Sequence, residues 1–346
     1  MKLLRLPRQA LADWLAALGR DAEVFGPKAT AEGPALASLA PGETPDEAPG
    51  PPKAPLKTFF FPQPETLAVF STRRDDPEAH VLRPPRLEAG RRVVLAGVRP
   101  CDARSVVLNA LPFAGDPYFQ ARCGATVLIG AACAETCGTC FCRWTGGDPL
   151  GTEGLDLLLH PADGGDLLVE VLTAKGEGAA PEAGRPAAAA DAEGLAARRE
   201  ASRRAAGRAP DPRPPLAAVD LLALHGAPFW GRVAEPCLNC GACTFLCPTC
   251  YCFDIQDETL RGRGRRIRYW DSCMFPLFTR HASGHNPRGA KFQRVRNRFL
   301  HKFRYFPDRY GPFSCVGCGR CIRECPVGID VREVLREMLA FAGRGA

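Results

Sequence analysis

Two short cysteine runs constrain this chain more than any other feature. CLNCGACTFLCP sets Cys237, Cys240, Cys243 and Cys247 in the order C-x2-C-x2-C-x3-C-P, and CVGCGRCIRECP repeats that order with Cys315, Cys318, Cys321 and Cys325. A tight C-x2-C-x2-C turn aims three thiolates at three corners of one cube, and the fourth cysteine, before proline, commonly ligates the neighbouring cluster. The spacing therefore predicts one [4Fe–4S] cluster on Cys237, Cys240, Cys243 and Cys325. A second falls on Cys315, Cys318, Cys321 and Cys247. Zinc is the competing occupant, but structural zinc favours two separated C-x2-C pairs over three cysteines in register before C-P. Two linked clusters make a one-electron conduit, and no catalytic residue is assigned.

Seventeen cysteines in 346 residues also bear on compartment. The opening MKLLRLPRQALADWLAALG is broken by Gln9 and Asp13, while Leu11, Trp14, Leu15 and Leu18 follow helical spacing with Gly19 as a stop. No apolar run reaches the ~18 residues of a membrane span. The expectation is a cytoplasmic protein without a membrane partner, whose clustered thiols bind metal.

Charge is distributed unevenly. Residues 261–310 hold fourteen Lys and Arg against Asp271 and Asp308, a net +12 in a chain whose total is +7. The stretch RVRNRFLHKFRYF interleaves arginine with aromatics, a pattern nucleic acid would fit. Nothing else in the chain supports nucleic acid. The expectation is a basic face, including Arg294, Arg296, Arg298 and Arg304, that docks an acidic partner protein. Cys250, Cys252 and Cys273 fall in or beside this insertion. They are either small buried residues or, with His281 and His285, ligands to a further metal.

The front of the chain has a different texture. RRVVLAGVRPCDARSVVLNALPF predicts a buried strand, a Pro-Cys turn and a helix capped by Asp102. TVLIGAACAETCGTCFC predicts a second apolar strand running into a cysteine loop, and 155–160 with 167–172 predict a hairpin. If the two strands are adjacent and parallel, both cysteine-bearing loops leave their carboxyl ends, where such sheets build sites. Cys101, Cys133, Cys140 and Cys142 are thus candidates for a third cluster. Residues 174–215 are rich in Ala, Pro and Arg, with a short helix near 189–206 conceivable inside them. Asp330 with Glu333 resembles a capping pair, before an apolar helical face that ends at Gly343.

The expected fold is an α/β or α+β front domain over 1–173 and a linker over 174–215. A mostly helical, two-[4Fe–4S] ferredoxin-like domain follows over 216–346, with a long insertion, 253–314, between its cysteine motifs.

CPTCYCFDIQD, RYWDSC, GHNPR, HKF and CVGCGRCIRECPVGID resemble the iron–sulfur beta subunit of cytoplasmic NAD(P)-linked nickel–iron hydrogenases, the sulfhydrogenases. The iron–sulfur chain of anaerobic sulfite reductase shares much of the pattern, and GVRPCD and CFC are similar to the front domain of the same proteins. The resemblance implies a non-catalytic protein that relays electrons between a flavoprotein partner handling NAD(P)H and a catalytic partner, hydrogenase first and sulfite reductase second. An autonomous flavin-binding oxidoreductase is the alternative. No G-x-G-x-x-G follows a strand.

Overall fold

The computed structural model describes residues 2–31, 33–47, 50–85, 92–206 and 219–342. Its front part is an eight-stranded mixed sheet. Strand β1 (Lys2–Leu6) leads through helix α1 (Leu11–Leu18) to β2 (Ala22–Lys28) and β3 (Ala35–Ser38). A short helix α2 (Lys57–Phe60) and β4 (Glu65–Ser71) come next, then β5 (Arg92–Val98), α3 (Pro100–Ala110), α4 (Pro117–Ala125) and β6 (Thr126–Ala131). The hairpin β7 (Leu157–Pro161) and β8 (Leu167–Val171) leads to α5 (Ala174–Gly178), β9 (Arg185–Pro186) and α6 (Ala189–Ala206). The sheet order is β3-β2-β5-β6-β7-β8-β1-β9.

Strands β2, β5, β6 and β7 are parallel, while β3, β8, β1 and β9 pair antiparallel at the two flanks. The runs VVLAGV and TVLIGA suit the parallel centre, where both faces of a strand are covered. Val94, Leu95, Ala96 and Val98 of β5 are buried, as are Val127, Leu128 and Ile129 of β6. One face packs on Leu11, Trp14 and Leu15 of α1, the other on Phe60, Phe61 and Phe119.

Two sequence expectations change here. Asp102 does not cap α3; the residue before the helix is Arg99, which makes no capping bond through its side chain, and Asp102 lies inside the first turn, buried. Its carboxylate is committed elsewhere, as described below. The stretch 174–215 is more than a linker: it contains α5, β9 and α6, the last at the 189–206 helix the sequence allowed, and Leu195 of α6 is 1% exposed. Arg199 of the same helix pairs with Glu170 of β8. Residues 207–215 of that stretch, and the expected stop at Gly343, lie outside the described residues.

The C-terminal part begins with α7 (Phe229–Ala234) and α8 (Ala242–Phe245). Between the cysteine motifs come a hairpin, β10 (Phe253–Leu260) and β11 (Arg263–Trp270), and a helical run made of α9 (Lys291–Leu300), a π-helical turn (His301–Tyr305) and α10 (Phe306–Tyr310). Helices α11 (Arg320–Arg323) and α12 (Val331–Ala342) close the chain. Asp330 accepts a hydrogen bond from the Arg332 amide at the start of α12 (2.8 Å). A second core joins these helices: Trp230, Val295, Phe299, Phe303, Val334, Leu335 and Met338. Strand β4 of the front part completes a three-stranded sheet with the hairpin, in the order β10-β11-β4. The insertion is thereby stitched to the front of the molecule.

Candidate iron–sulfur centres

The two ferredoxin-type motifs come together across the insertion. Cys237, Cys240, Cys243, Cys321 and Cys325 line one cavity, with Arg298 and Phe299 of α9 among its walls. Around Cys247 the electrostatic neighbours are Cys315, Cys318 and Cys321, which belong to the other motif. Backbone amides point at sulfur in both motifs. The amide of Asn239 donates to Cys237 Sγ (3.4 Å), that of Gly317 to Cys315 Sγ (3.4 Å) and that of Ile329 to Cys325 Sγ (3.3 Å). Such bonds stabilise thiolate and tune a cluster bound to it.

A [4Fe–4S] group suits this donor set. Burial pushes the Cys315 thiol up to about 12 and the Cys318 thiol up to about 11, so neither sulfur ionises unaided at neutral pH. Bound iron supplies the charge that makes them thiolates and, with it, a reversible one-electron carrier. The cavity also holds an unanswered donor: Arg298, 6% exposed, has a buried Nε with no hydrogen-bond partner among the described residues. A buried guanidinium facing thiols calls for an anion. Among the described residues no group of three or more His, Cys, Asp or Glu is placed to hold a metal ion.

Lys302, which belongs to no cysteine motif, also reaches into the site. It is 3% exposed, and its Nζ donates to Cys247 Sγ (3.2 Å), Thr249 Oγ1 (3.2 Å) and Ser314 O (2.9 Å). The Cys247 thiol is held well below its ordinary value by the neighbouring Cys250 thiol and then by Lys302. Sequence reasoning missed this residue, though a signal for it exists. Arg294, Arg298 and Lys302 recur every fourth residue, beside the apolar series Val295, Phe299 and Phe303, so the helix points both inward.

That geometry corrects the expected basic face. Arg294 is 7% exposed and donates to the carbonyls of Met274 (3.1 Å), Arg288 (2.9 Å) and Gly289 (2.7 Å), and Arg298 lines the first cavity. Arg296 and Arg304 are half-buried. Phe299, Phe303 and Phe306 are buried, so the run 294–306 presents no aromatic strip for bases. His281 and His285 are exposed with ring centroids 5.4 Å apart, whereas Cys273 is buried beside Cys252.

The front cysteines meet the second motif directly. Cys101 follows β5 and the loop bearing Cys133, Cys137, Cys140 and Cys142 follows β6, the two carboxyl ends of adjacent parallel strands. Cys133 neighbours Cys137 and Cys140, Cys140 neighbours Cys142, and Cys101 faces both Cys133 and Cys318. Cys137 thus belongs to the group, although the spacing alone does not select it. The Phe141 amide donates to the Gly317 carbonyl (2.7 Å). A Cβ on Gly317 would lie 2.5 Å from the Phe141 carbonyl carbon, and one on Gly319 would lie 2.5 Å from the Thr139 carbonyl oxygen. Both glycines also have positive φ, 63° and 74°, so two independent constraints exclude a side chain there. Arg320, fully buried, donates to both carboxylate oxygens of Asp102 (2.6 and 2.8 Å) and to Pro52 O (2.8 Å). The second motif is thus clamped to α3 and to the cysteine loop at once.

Comparison with known proteins agrees with this arrangement. Residues 236–329 match the family model of the 4Fe-4S dicluster domain. Sulfhydrogenase 2 subunit beta of Pyrococcus furiosus is 32% identical over 252 residues, covering 71% of this chain and 74% of that protein. No solved structure matches the chain. The described residues contain no helix long and apolar enough to cross a membrane. A mixed α/β protein with a C-terminal dicluster domain and this degree of identity belongs to the hydrogenase beta-subunit family of iron–sulfur electron-transfer proteins.

Proposed function

We propose that the chain is the electron-relay component of a cytoplasmic oxidoreductase complex, passing electrons between an NAD(P)H-handling flavoprotein and a nickel–iron hydrogenase-type catalytic partner. It contributes no catalytic residue of its own. One cluster sits on Cys237, Cys240, Cys243 and Cys325, the other on Cys315, Cys318, Cys321 and Cys247. The observation that supports this is the interlocking of the two sets: Cys321 of the second lines the cavity of the first, and Cys247 of the first run faces the second. Electrons entering one site have the other beside it. A third cluster on the front group, from Cys101, Cys133, Cys140 and Cys142, would extend the line toward the sheet, since Cys101 faces Cys318.

The chain's own groups set the conditions for transfer. Amides at Asn239, Gly317 and Ile329 and the ammonium of Lys302 place positive charge on ligand sulfur, which favours the electron-rich state. Phe299 and Phe303 are buried in the core beside the cysteines, while Cys240 stays exposed.

The test is anaerobic isolation of the tagged chain from its native cells. Co-purifying nickel and flavin, with clusters reduced under hydrogen, are the expected result. Siroheme in place of nickel would point to a sulfite reductase, and flavin bound to the isolated chain would point to an autonomous oxidoreductase.

A further inference from the structure

The eight motif cysteines and the front group leave three clustered thiols unassigned. Cys250 and Cys252 stand on either side of Tyr251, whose ring turns toward Phe113 (5.9 Å), His301 (5.7 Å) and Phe306 (6.4 Å). The Asp271 amide donates to the Cys252 carbonyl (2.9 Å), which fixes the end of β11 against this turn. That bond holds Cys273, which follows β11, at the same open end of the hairpin as Cys252, which precedes β10. Its thiol neighbours Cys252, and Cys250 is next in reach. All three thiols are free, and Cys273 is 8% exposed. Two segments separated by the whole hairpin thus deliver three thiols to one place.

The second observation comes from the other half of the molecule. Lys57, on α2, is 3% exposed and crosses into this region. Its Nζ donates to Cys250 O (2.9 Å) and Thr244 O (3.2 Å) and lies 4.1 Å from the Trp270 ring centroid. The ionisable groups facing it are Cys250, Cys247, Lys302 and Cys252. A second buried cation, Lys302, also faces Cys250. Ammonium groups taken out of water need anionic partners. Elsewhere this chain provides carboxylates for that purpose, as Asp102 does for Arg320. Here it provides carbonyls, hydroxyls and thiols.

We propose that Cys250, Cys252 and Cys273 bind a further iron–sulfur cluster, with three thiolate ligands and one position left for a ligand other than cysteine, beside Lys57 and Lys302. Three thiolates and their cluster would supply the anion that Lys57 lacks, next to the Cys247 thiol that Lys302 already faces. The site adjoins the second ferredoxin-type site through the neighbouring Cys247 and Cys250, which puts it in series with the relay. It stands on different residues from the front group, so the two are separable by mutation.

The experiment counts iron and labile sulfide and records the EPR spectrum of the reduced full-length protein, purified anaerobically. Cys273→Ser lies far in sequence from both ferredoxin motifs. It is expected to lose about three to four iron per chain relative to the unsubstituted protein, one cluster's worth, while the signals of the two motif clusters persist. A Cys133→Ser/Cys140→Ser variant should keep the iron that Cys273→Ser loses. Iron content and spectrum unchanged by Cys273→Ser would overturn the proposal, as would recovery of a Cys252–Cys273 disulfide from the iron-loaded protein. Should Cys273→Ser fail to fold, Lys57→Met tests the same site from the front domain. The expected result is the same loss of iron or a changed third signal, and an unaltered count and spectrum would refute the assignment.

Discussion

The border between the two halves and the interior of the cysteine region both bury cations, and they neutralise them differently. At the border, Arg268 of β11, 4% exposed, binds Glu65 of β4 and donates to Asp116 Oδ2 (2.5 Å), and Arg320 holds Asp102 through two bonds. Each positive charge meets a carboxylate from the opposite half. In the interior, Arg298, Lys302 and Lys57 meet sulfur, hydroxyls and carbonyls. The border is electrically complete as polypeptide. The interior becomes complete when thiolates and their clusters supply the missing negative charge. On this contrast, the border is balanced by its own residues, whereas the interior would gain stability from the clusters it binds.

The largest expected effect tests that contrast directly. Chelating the iron should abolish hydrogen-exchange protection across α8, α9 and α11 while β5, β6 and β8 stay protected. Equal loss in both parts would mean the sheet leans on the clusters too, and no loss would mean the interior cations are balanced without them.

Next in size is Asp102→Asn, which keeps the shape and removes the charge facing Arg320. Breaking a buried pair from one side costs about 3–5 kcal/mol, to be read from denaturant unfolding of the iron-loaded protein. A change well below that range would show that Pro52 and the thiols around Arg320 suffice to hold it.

Lys302→Met probes the interior in the same spirit. Removing the ammonium from Cys247 Sγ takes away a charge that favours the reduced state, so the potential of the second cluster should fall. A drop on the order of 60 mV corresponds to a tenfold shift in a one-electron equilibrium. Potentiometric EPR should show the Cys237-containing cluster moving less. An equal shift in both would place Lys302 as a background charge.

The smallest effect concerns the seam. Gly317→Ala inserts a methyl where Phe141 leaves no room, and overpacking of this kind costs typically ~1–3 kcal/mol. Thermal unfolding of the loaded protein measures it, and an unchanged midpoint would mean that the loop at 139–142 yields readily.

Local patterns make much of this fold legible. β5, α3, β6 and the β7–β8 hairpin show as apolar runs bounded by Pro, Gly and Asp, and α1 and α12 as helical periodicity. Strand β1 does not show, because KLLRL is short and its meaning depends on pairing with β8, far along the chain. Asp102 reads as a cap since a carboxylate in a first turn often is one, but its partner Arg320 lies 218 residues away. Counting charge in the insertion yields its amount and not its direction; the direction depends on helical phase, which the 294–298–302 spacing encodes. The motif cysteines are legible because their chemistry demands a fixed local spacing. Lys57 is not, because nothing near it in sequence says that it will cross into another part of the molecule.

The seam between Gly317 and the Phe141 loop bears on biogenesis. A joint that excludes even a methyl group holds the second motif and the front loop in one fixed register. A cofactor bound by the buried Cys315 and Cys318 would be shielded on that side once the joint has closed. Such a joint favours an order in which the motif is loaded before the front loop docks.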